Sequence, residues 1–146
     1  MTGQPLTLRV SRQMPASPER VFDAWLDPAM ARRFLFATPT GEMQQVDIDP
    51  QVGGRFTIVE RRPEGDAAHY GQYLQIDRPR RLAFTFATEP EAPGSRVSID
   101  FAPAGEGCEL TLVHALEPEW ADYAERTRDG WNSILETLAS ELTTAT

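Results

Sequence analysis

Six segments with a two-residue period, followed by one long segment with a helical period, constrain the fold of this chain most strongly. Turns that contain glycine or proline separate the six segments, which cover residues 42–49, 54–61, 69–76, 81–88, 95–102 and 108–115. Side chains alternate between the two faces of a strand, so this period predicts strands that bury one face. We expect these six strands to form an antiparallel meander, and residues 6–14 are predicted to form a further strand.

The long C-terminal segment, 117–142, places apolar side chains three or four positions apart, among them Trp120 and Trp131. This spacing predicts an amphipathic helix of about six or seven turns, whose apolar side packs on the inner face of the sheet. Gly130 interrupts the helix at a cost of about 0.5–1 kcal/mol relative to alanine. Either close approach of the helix to the sheet or space for a ligand offsets that cost, and we expect close approach.

Two short helices are predicted between the first strand and the rest of the sheet. Ser17 is a good N-cap and Pro18 suits the first helical position. The same order of cap and proline at Asp27 and Pro28 predicts a second helix that ends near Phe34. Together with the sheet and the long helix, these elements define an α+β protein.

The adjacent glycines in "DPQVGGRF" suit either a phosphate-binding loop or a tight turn. A phosphate loop needs a lysine and a hydroxyl residue after the glycines and then a helix, and a dinucleotide site needs three spaced glycines. Here Gly54 is followed by Arg55-Phe56-Thr57-Ile58-Val59, which has the composition of a strand. We therefore predict that Gly53 and Gly54 form a hairpin turn or bulge.

Composition excludes several classes of function. The formal net charge is −8, which argues against nucleic acid or an anionic membrane surface as the partner. The single cysteine, Cys108, and two histidines far apart in sequence predict no disulfide, no metal site and no cofactor. No run of residues is long and apolar enough to insert into a membrane, and no signal peptide is evident. We expect one domain over residues 1–146, located in the cytoplasm.

Several motifs, in this order, resemble the heat-shock-protein-90 ATPase activator homologue (AHSA-type) family of the START-like (SRPBCC) superfamily. They are "ASPERVFDAWLDP", "DIDPQVGGRF", "GQYLQIDRPRRLAFTF", "GCELTLVHALEP" and "DGWNSILETLASEL". The resemblance implies a helix-grip fold, in which a curved antiparallel sheet wraps around the long C-terminal helix. It also implies a cavity between sheet and helix that takes small apolar or amphipathic molecules.

The chain departs from the family pattern at a few positions. Val113 and Cys108 stand where hydroxyl residues are common in the family. A tryptophan that is common before the sheet is missing, and Phe34 and Phe36 stand nearby. The co-chaperone members carry an additional N-terminal domain, for which 146 residues leave no room.

We expect the ligand cavity to be lined by one set of residues from the sheet and the long helix. The set is Tyr70, Gln72, Phe84, Phe86, Ile99, Leu112, His114, Trp120, Tyr123 and Trp131. Tyr70 and Gln72 either point into the cavity as its polar groups or touch water at the open end of the sheet. Trp120 and Tyr123 suit the cavity entrance, whereas Trp25 and Trp131 suit the core.

His114 is the one candidate for acid–base chemistry. It is either a ligand anchor or general base, or a core histidine with a structural hydrogen bond, and the second interpretation is favoured. We expect His69, at a hairpin loop, to be exposed, and Cys108 not to act as a nucleophile. Arg78, Arg80 and Arg81 are expected to form a solvated turn, although an anionic partner would also suit them.

Three functions are compatible with these observations. The first is binding of a small apolar or amphipathic molecule, without catalysis. The second is a co-chaperone or stress-response interaction with a chaperone partner. The third is an enzyme of the cyclase or hydrolase type that uses the same cavity, although fold by itself does not imply a reaction. The sequence leaves the oligomeric state open, including a homodimer.

Overall fold

The computed structural model describes residues 6–36, 41–89, 94–116 and 124–144, and its centre is one seven-stranded antiparallel sheet. The strands β1 to β7 are Leu6–Met14, Glu42–Ile48, Arg55–Arg62, Gly65–Asp77, Arg81–Phe86, Ser95–Ala104 and Gly107–Leu116. Their order in the sheet is β1-β7-β6-β5-β4-β3-β2, so each strand from β2 to β7 pairs with its neighbour in sequence. The predicted meander and all seven predicted strands are confirmed.

Two short helices, α1 (Pro18–Leu26) and α2 (Pro28–Phe34), follow β1 as predicted. The Ser17 hydroxyl accepts a hydrogen bond from the Arg20 backbone N–H, and the Asp27 carboxylate accepts one from Ala29. These caps satisfy backbone groups that the first turn of a helix leaves without partners. Asp27 also ends α1, so one residue separates the two helices.

The long helix α3 is described over Ala124–Thr144 and packs on the inner face of the sheet. The sheet contributes cross-strand neighbours such as Ile99 and Leu112, and the helix contributes Leu135 and Leu138, all of them completely buried. Burial of these faces excludes water from one continuous core. The arrangement is the helix-grip α+β fold that the resemblance implied, although the first part of the predicted helix, 117–123, lies outside the described residues.

The two adjacent glycines form the turn between β2 and β3, as predicted. Gly53 has φ +88°, a left-handed conformation that glycine adopts without steric cost. A Cβ atom at Gly54 would collide with the backbone carbonyl of Asp49. The turn is also attached to β4, because Gly53 N–H donates to the Tyr73 carbonyl and Tyr73 N–H donates to the Gly54 carbonyl, both at 2.9 Å. Nothing in this geometry requires a phosphate.

Strand β4 departs from the prediction in ways that decide which of its residues face inward. It begins at Gly65, earlier than predicted, so His69 lies within the strand opposite Ile58 and is buried. The expectation that His69 is exposed was therefore wrong. A register shift between Tyr73 and Gln75 also changes the alternation, so that Tyr73 and Ile76 both pair with inner-face residues of β5. Tyr73 thus lies on the inner face, opposite to that of Tyr70 and Gln72, and is buried.

The described part of the chain has no helix long and apolar enough to cross a membrane.

Candidate ligand pocket

A pocket of about 370 Å³ opens between the first half of α3 and the sheet. One face of the helix forms one wall, and its lining residues are Arg126, Thr127, Gly130, Trp131, Ser133 and Ile134. The other wall takes one residue each from the turn after α2 and from β3, β4 and β5, namely Phe36, Arg62, His69 and Phe86. The helical residues recur three or four positions apart, so a single face of α3 presents them all.

Gly130 lies on this wall, and a Cβ atom built there would meet no atom of the described residues within 4 Å. Close approach of the helix to the sheet therefore does not explain the glycine, contrary to expectation. The position borders open space in the pocket, which was the other interpretation of the interrupted helix. A side chain at this position would extend into that space.

Aromatic rings line the inner part of the pocket. The rings of Phe36 and His69 are parallel within 3°, with centroids 4.2 Å apart. Phe36 also lies 5.3 Å from Phe86 and 5.8 Å from Trp131, measured between ring centroids. Such pairs favour defined offset or edge-to-face geometries, so the rings form a well-ordered apolar surface.

Phe36 has an unusual backbone conformation, with φ 58°. Positive φ is rare for a bulky residue and persists only where the surroundings hold it in place. Here the ring is held by His69 and Phe86, and the carbonyl accepts a hydrogen bond from Arg62 Nη2 at 3.3 Å. Phe36, one of the two phenylalanines near the place where the resemblance led us to expect a tryptophan, thus belongs to the pocket wall.

His114 lies behind the pocket wall and is almost completely buried. Trp131 Nε1–H donates to its Nδ1 at 3.0 Å, so a neutral His114 carries its proton on Nε2. That Nε2–H donates to the Ser95 hydroxyl at 2.6 Å, and the hydroxyl can donate to the Phe86 carbonyl at 3.4 Å. Burial lowers the pKa of His114 to about 4, which keeps the ring neutral.

Both ring nitrogens of His114 therefore have partners inside the protein. The ring orients Trp131, which lines the pocket, and it does not itself line the pocket. This arrangement corresponds to the favoured interpretation of His114 as a core histidine.

His69 is the histidine that lines the pocket. Its Nδ1–H donates to the Ile58 carbonyl at 3.2 Å, which leaves Nε2 as the hydrogen-bond acceptor of the ring. Burial lowers the pKa of His69 to about 4 and outweighs the opposite effect of the Ile58 carbonyl. At neutral pH the ring is therefore an uncharged part of the aromatic wall.

Arg62 brings a fixed positive charge to the pocket. Its Nε–H donates to Glu60 Oε1 at 2.6 Å, and the Glu60 side chain is 1% exposed while that of Arg62 is 26% exposed. The buried carboxylate needs such a partner, since an unpaired charge in the interior is strongly unfavourable. The pair thus holds the guanidinium at the boundary between core and pocket.

The expected lining residues have different locations in the structure. Phe86 and Trp131 line the pocket, whereas Phe84, Ile99 and Leu112 are buried in the closed core of the protein. Trp120 and Tyr123 lie outside the described residues.

Tyr70 and Gln72 lie on the opposite face of the sheet from the pocket. They pair with Thr57 and Arg55, which alternate with the buried Phe56 of β3. The expected inward orientation of Tyr70 and Gln72 is thus corrected, because the two side chains share the outer face with these partners. Gln72 Nε2 donates to the Gly53 carbonyl at 3.2 Å and so supports the turn between β2 and β3.

Sequence reasoning missed several pocket residues, and some of them left a signal. Arg62 follows Phe56, Ile58 and Glu60 at a two-residue period, so the alternation alone placed it on the inner face. On α3, the helical spacing that starts from Trp131 leads to the other lining residues. Phe36 and His69 left no comparable signal, because one depends on an unusual backbone conformation and the other on where β4 begins.

The remaining candidates, Cys108 and Arg78, do not belong to the described lining of the pocket. Cys108 is completely buried, and burial raises the pKa of its thiol. Arg78 makes a two-bond salt bridge to Asp23, with distances of 2.7 and 2.9 Å, and this bridge lowers the pKa of that carboxyl group. Within the ranges that the structure describes, no three His, Cys, Asp or Glu residues are grouped so that they could hold a metal ion.

Comparison with solved structures finds close similarity of fold over nearly the whole chain. Protein NE0264 from Nitrosomonas europaea is 21% identical with a TM-score of 0.84, and 96% of each chain is covered. Protein CV1439 from Chromobacterium violaceum is 27% identical with a TM-score of 0.81, over 93% of this chain and 96% of that one. An AHSA1-like protein from Aeromonas hydrophila is 22% identical with a TM-score of 0.82, over 96% and 94%.

Curated proteins show no significant sequence match to this chain. The model of one protein family, in contrast, matches residues 15–143, a range that includes both short helices, β2 to β7 and nearly all of α3. With the helix-grip fold and the solved relatives, this match identifies the chain as a member of the family described as Activator of Hsp90 ATPase homolog 1-like protein, within the START-like superfamily.

Proposed function

We propose that this protein binds a small, ring-containing apolar or amphipathic molecule in the pocket between α3 and the sheet. The observation that carries the proposal is the pocket itself, in which aromatic rings and a few polar groups converge on about 370 Å³ of space. Ligand sites typically have volumes of about 300–1,000 Å³ and combine an apolar lining with a few polar groups that orient the ligand.

The volume and lining also limit the kind of ligand. At the lower end of the usual range, the pocket suits a compact molecule better than a long acyl chain. The rings of Phe36, Phe86 and Trp131 offer flat apolar surfaces, against which an aromatic or alicyclic body can stack. Burial of such a body would contribute about 25 cal/mol per Å² of apolar surface removed from water.

A fluorescence titration with N-phenylnaphthylamine, a neutral probe with a naphthyl and a phenyl group, tests the proposal. We expect saturable binding to the wild-type protein and loss of binding in Gly130→Leu, because the new side chain extends into the pocket. Asn132→Leu is the matched control, since this exposed residue of α3 lies outside the lining. Absence of binding to the wild type, or equal binding to both variants, would reject a ligand site at this pocket.

A co-chaperone function is the second candidate, and only the family description, which refers to activation of the Hsp90 ATPase, favours it. The test adds the purified protein to the Hsp90 homologue of the same organism and measures the rate of ATP hydrolysis. A concentration-dependent rise supports stimulation, and an unchanged rate at saturating protein rejects it.

A further inference from the structure

The charged residues that line the pocket have the opposite sign from the protein as a whole. The chain has a formal net charge of −8, yet both charged residues among the described lining are arginines, Arg62 and Arg126. The described lining contains no carboxylate, and the neutral His69 adds no charge near pH 7. The described wall thus presents two guanidinium groups and no carboxylate to a ligand, and the Glu60 carboxylate that pairs with Arg62 is buried.

Arg62 is held in one orientation by contacts on the core side of its guanidinium group. Nε–H donates to Glu60 at 2.6 Å, and Nη2 donates to the Phe36 carbonyl at 3.3 Å. A guanidinium group has five N–H donors in a rigid planar fork, so these two bonds leave further donors on a group that borders the pocket. Because its orientation is fixed in advance, Arg62 loses little conformational entropy when it binds a ligand.

Glu60 explains why this orientation is stable. Its carboxylate is 1% exposed and accepts the short hydrogen bond from Arg62. An uncharged residue would fill the same interior space without the unfavourable desolvation of a carboxylate. The charged residue has a further effect, which is to fix the guanidinium beside the rings of Phe36 and His69.

We propose that the ligand of this pocket is an organic oxyanion with a flat ring body, whose anionic group binds Arg62 and whose rings lie against the aromatic wall. Glu60 is the positioning residue for Arg62. The planar fork of arginine matches the paired oxygens of a carboxylate, sulfonate or phosphate, which are the groups that it binds most strongly. This inference rests on the proposed binding function and specifies the class of ligand.

Two probes that share the same naphthyl and phenyl groups test the inference directly. Anilinonaphthalene sulfonate carries an anionic group, whereas N-phenylnaphthylamine lacks it. We expect the wild-type protein to bind the anionic probe about tenfold more tightly, in keeping with the strength of charge-assisted hydrogen bonds. Arg62→Gln should bring the two affinities to within about twofold of each other, as expected when only the shared apolar contacts remain.

Arg61→Gln is the matched control, because Arg61 adjoins Arg62 in β3 but its side chain is 63% exposed. It changes the net charge by the same amount, so the preference for the anionic probe should persist in this variant. The double variant Glu60→Gln/Arg62→Gln should behave as Arg62→Gln does, without leaving an unpaired buried carboxylate. Thermal unfolding of each variant verifies that it is folded.

Competition experiments then distinguish among the oxyanions. Naphthoate and naphthyl phosphate are expected to displace the anionic probe, and the neutral naphthamide at equal concentration is not. Equal affinities of the wild type for both fluorescent probes, or a preference that persists in Arg62→Gln, would overturn the inference while leaving the binding function intact. Failure of both probes to bind would instead reject the proposed function on which the inference depends.

Discussion

Gly130 and Gly53 provide a test of the local geometry, because the same substitution is expected to have opposite effects at the two positions. Among the described residues, no atom would lie within 4 Å of a Cβ atom at either glycine, so steric collision does not distinguish the two positions. The backbone does: Gly53 has φ +88°, whereas Gly130 lies inside α3 in a conformation that any residue adopts. We therefore expect Gly130→Ala to stabilise the protein and Gly53→Ala to destabilise it.

The magnitudes follow from the two conformations. Alanine in a helix interior is about 0.8–1.0 kcal/mol more favourable than glycine, and Gly130→Ala should gain most of this. For a chain of this size that corresponds to a rise in Tm of about 2–4 °C. Gly53→Ala forces a Cβ-bearing residue into the left-handed region, which costs roughly 1–2 kcal/mol.

Urea unfolding at pH 7, followed by far-UV circular dichroism, measures both effects. The midpoint should rise for Gly130→Ala and fall for Gly53→Ala, with the slope m unchanged, since neither substitution alters the surface exposed on unfolding. A lower midpoint for Gly130→Ala at unchanged m would refute our account of the pocket wall. It would mean that the helix does approach another element closely at Gly130.

Two further predictions concern the buried histidines. The pKa of about 4 for folded His69 and for folded His114 lies below the ordinary value of 6.5, so the unfolded chain binds more protons and stability must fall as the pH drops from 6.5 towards 4. Protonation of each histidine should lower the free energy of unfolding by about 3 kcal/mol at pH 4. His69→Phe should therefore flatten the fall of stability with decreasing pH, as measured by urea unfolding. An unchanged slope would contradict the lowered pKa of His69. His114→Leu leaves the Trp131 indole N–H without its acceptor and should lower stability at pH 7 by about 1–3 kcal/mol. The loss should be smaller in a Trp131→Phe background, and equal losses in the two backgrounds would exclude the hydrogen bond as the cause.

Local chemistry explains why much of the fold could be predicted. The caps Ser17 and Asp27 and the prolines that follow them determine where α1 and α2 begin, through contacts within a few residues. The turn at Gly53 depends on one backbone angle that glycine alone adopts easily. Such features act over short stretches of chain, so a single sequence reveals them.

Two features of β4 escaped prediction, namely its start at Gly65, which buries His69, and one irregularity in its register. Side chains alternate with a strict period of two, and a register shift of one residue exchanges the faces of everything beyond it. The shift between Tyr73 and Gln75 therefore places Ile76, three positions after Tyr73, on the same inner face as Tyr73. Nothing in the composition of this stretch marks the shift, since both faces of β4 carry polar and apolar residues.

By itself, the sequence determined that this is an α+β chain with a six-stranded meander, one further strand, two capped short helices and a long amphipathic helix, because periodicity and capping are local properties. Only the tertiary structure decided that Phe36, Arg62, His69 and Phe86 meet opposite Gly130. A pocket is space that packing leaves unfilled between elements distant in sequence. The guanidinium group of Arg62 is held at the edge of that space by its salt bridge to the buried Glu60. No local period encodes either property.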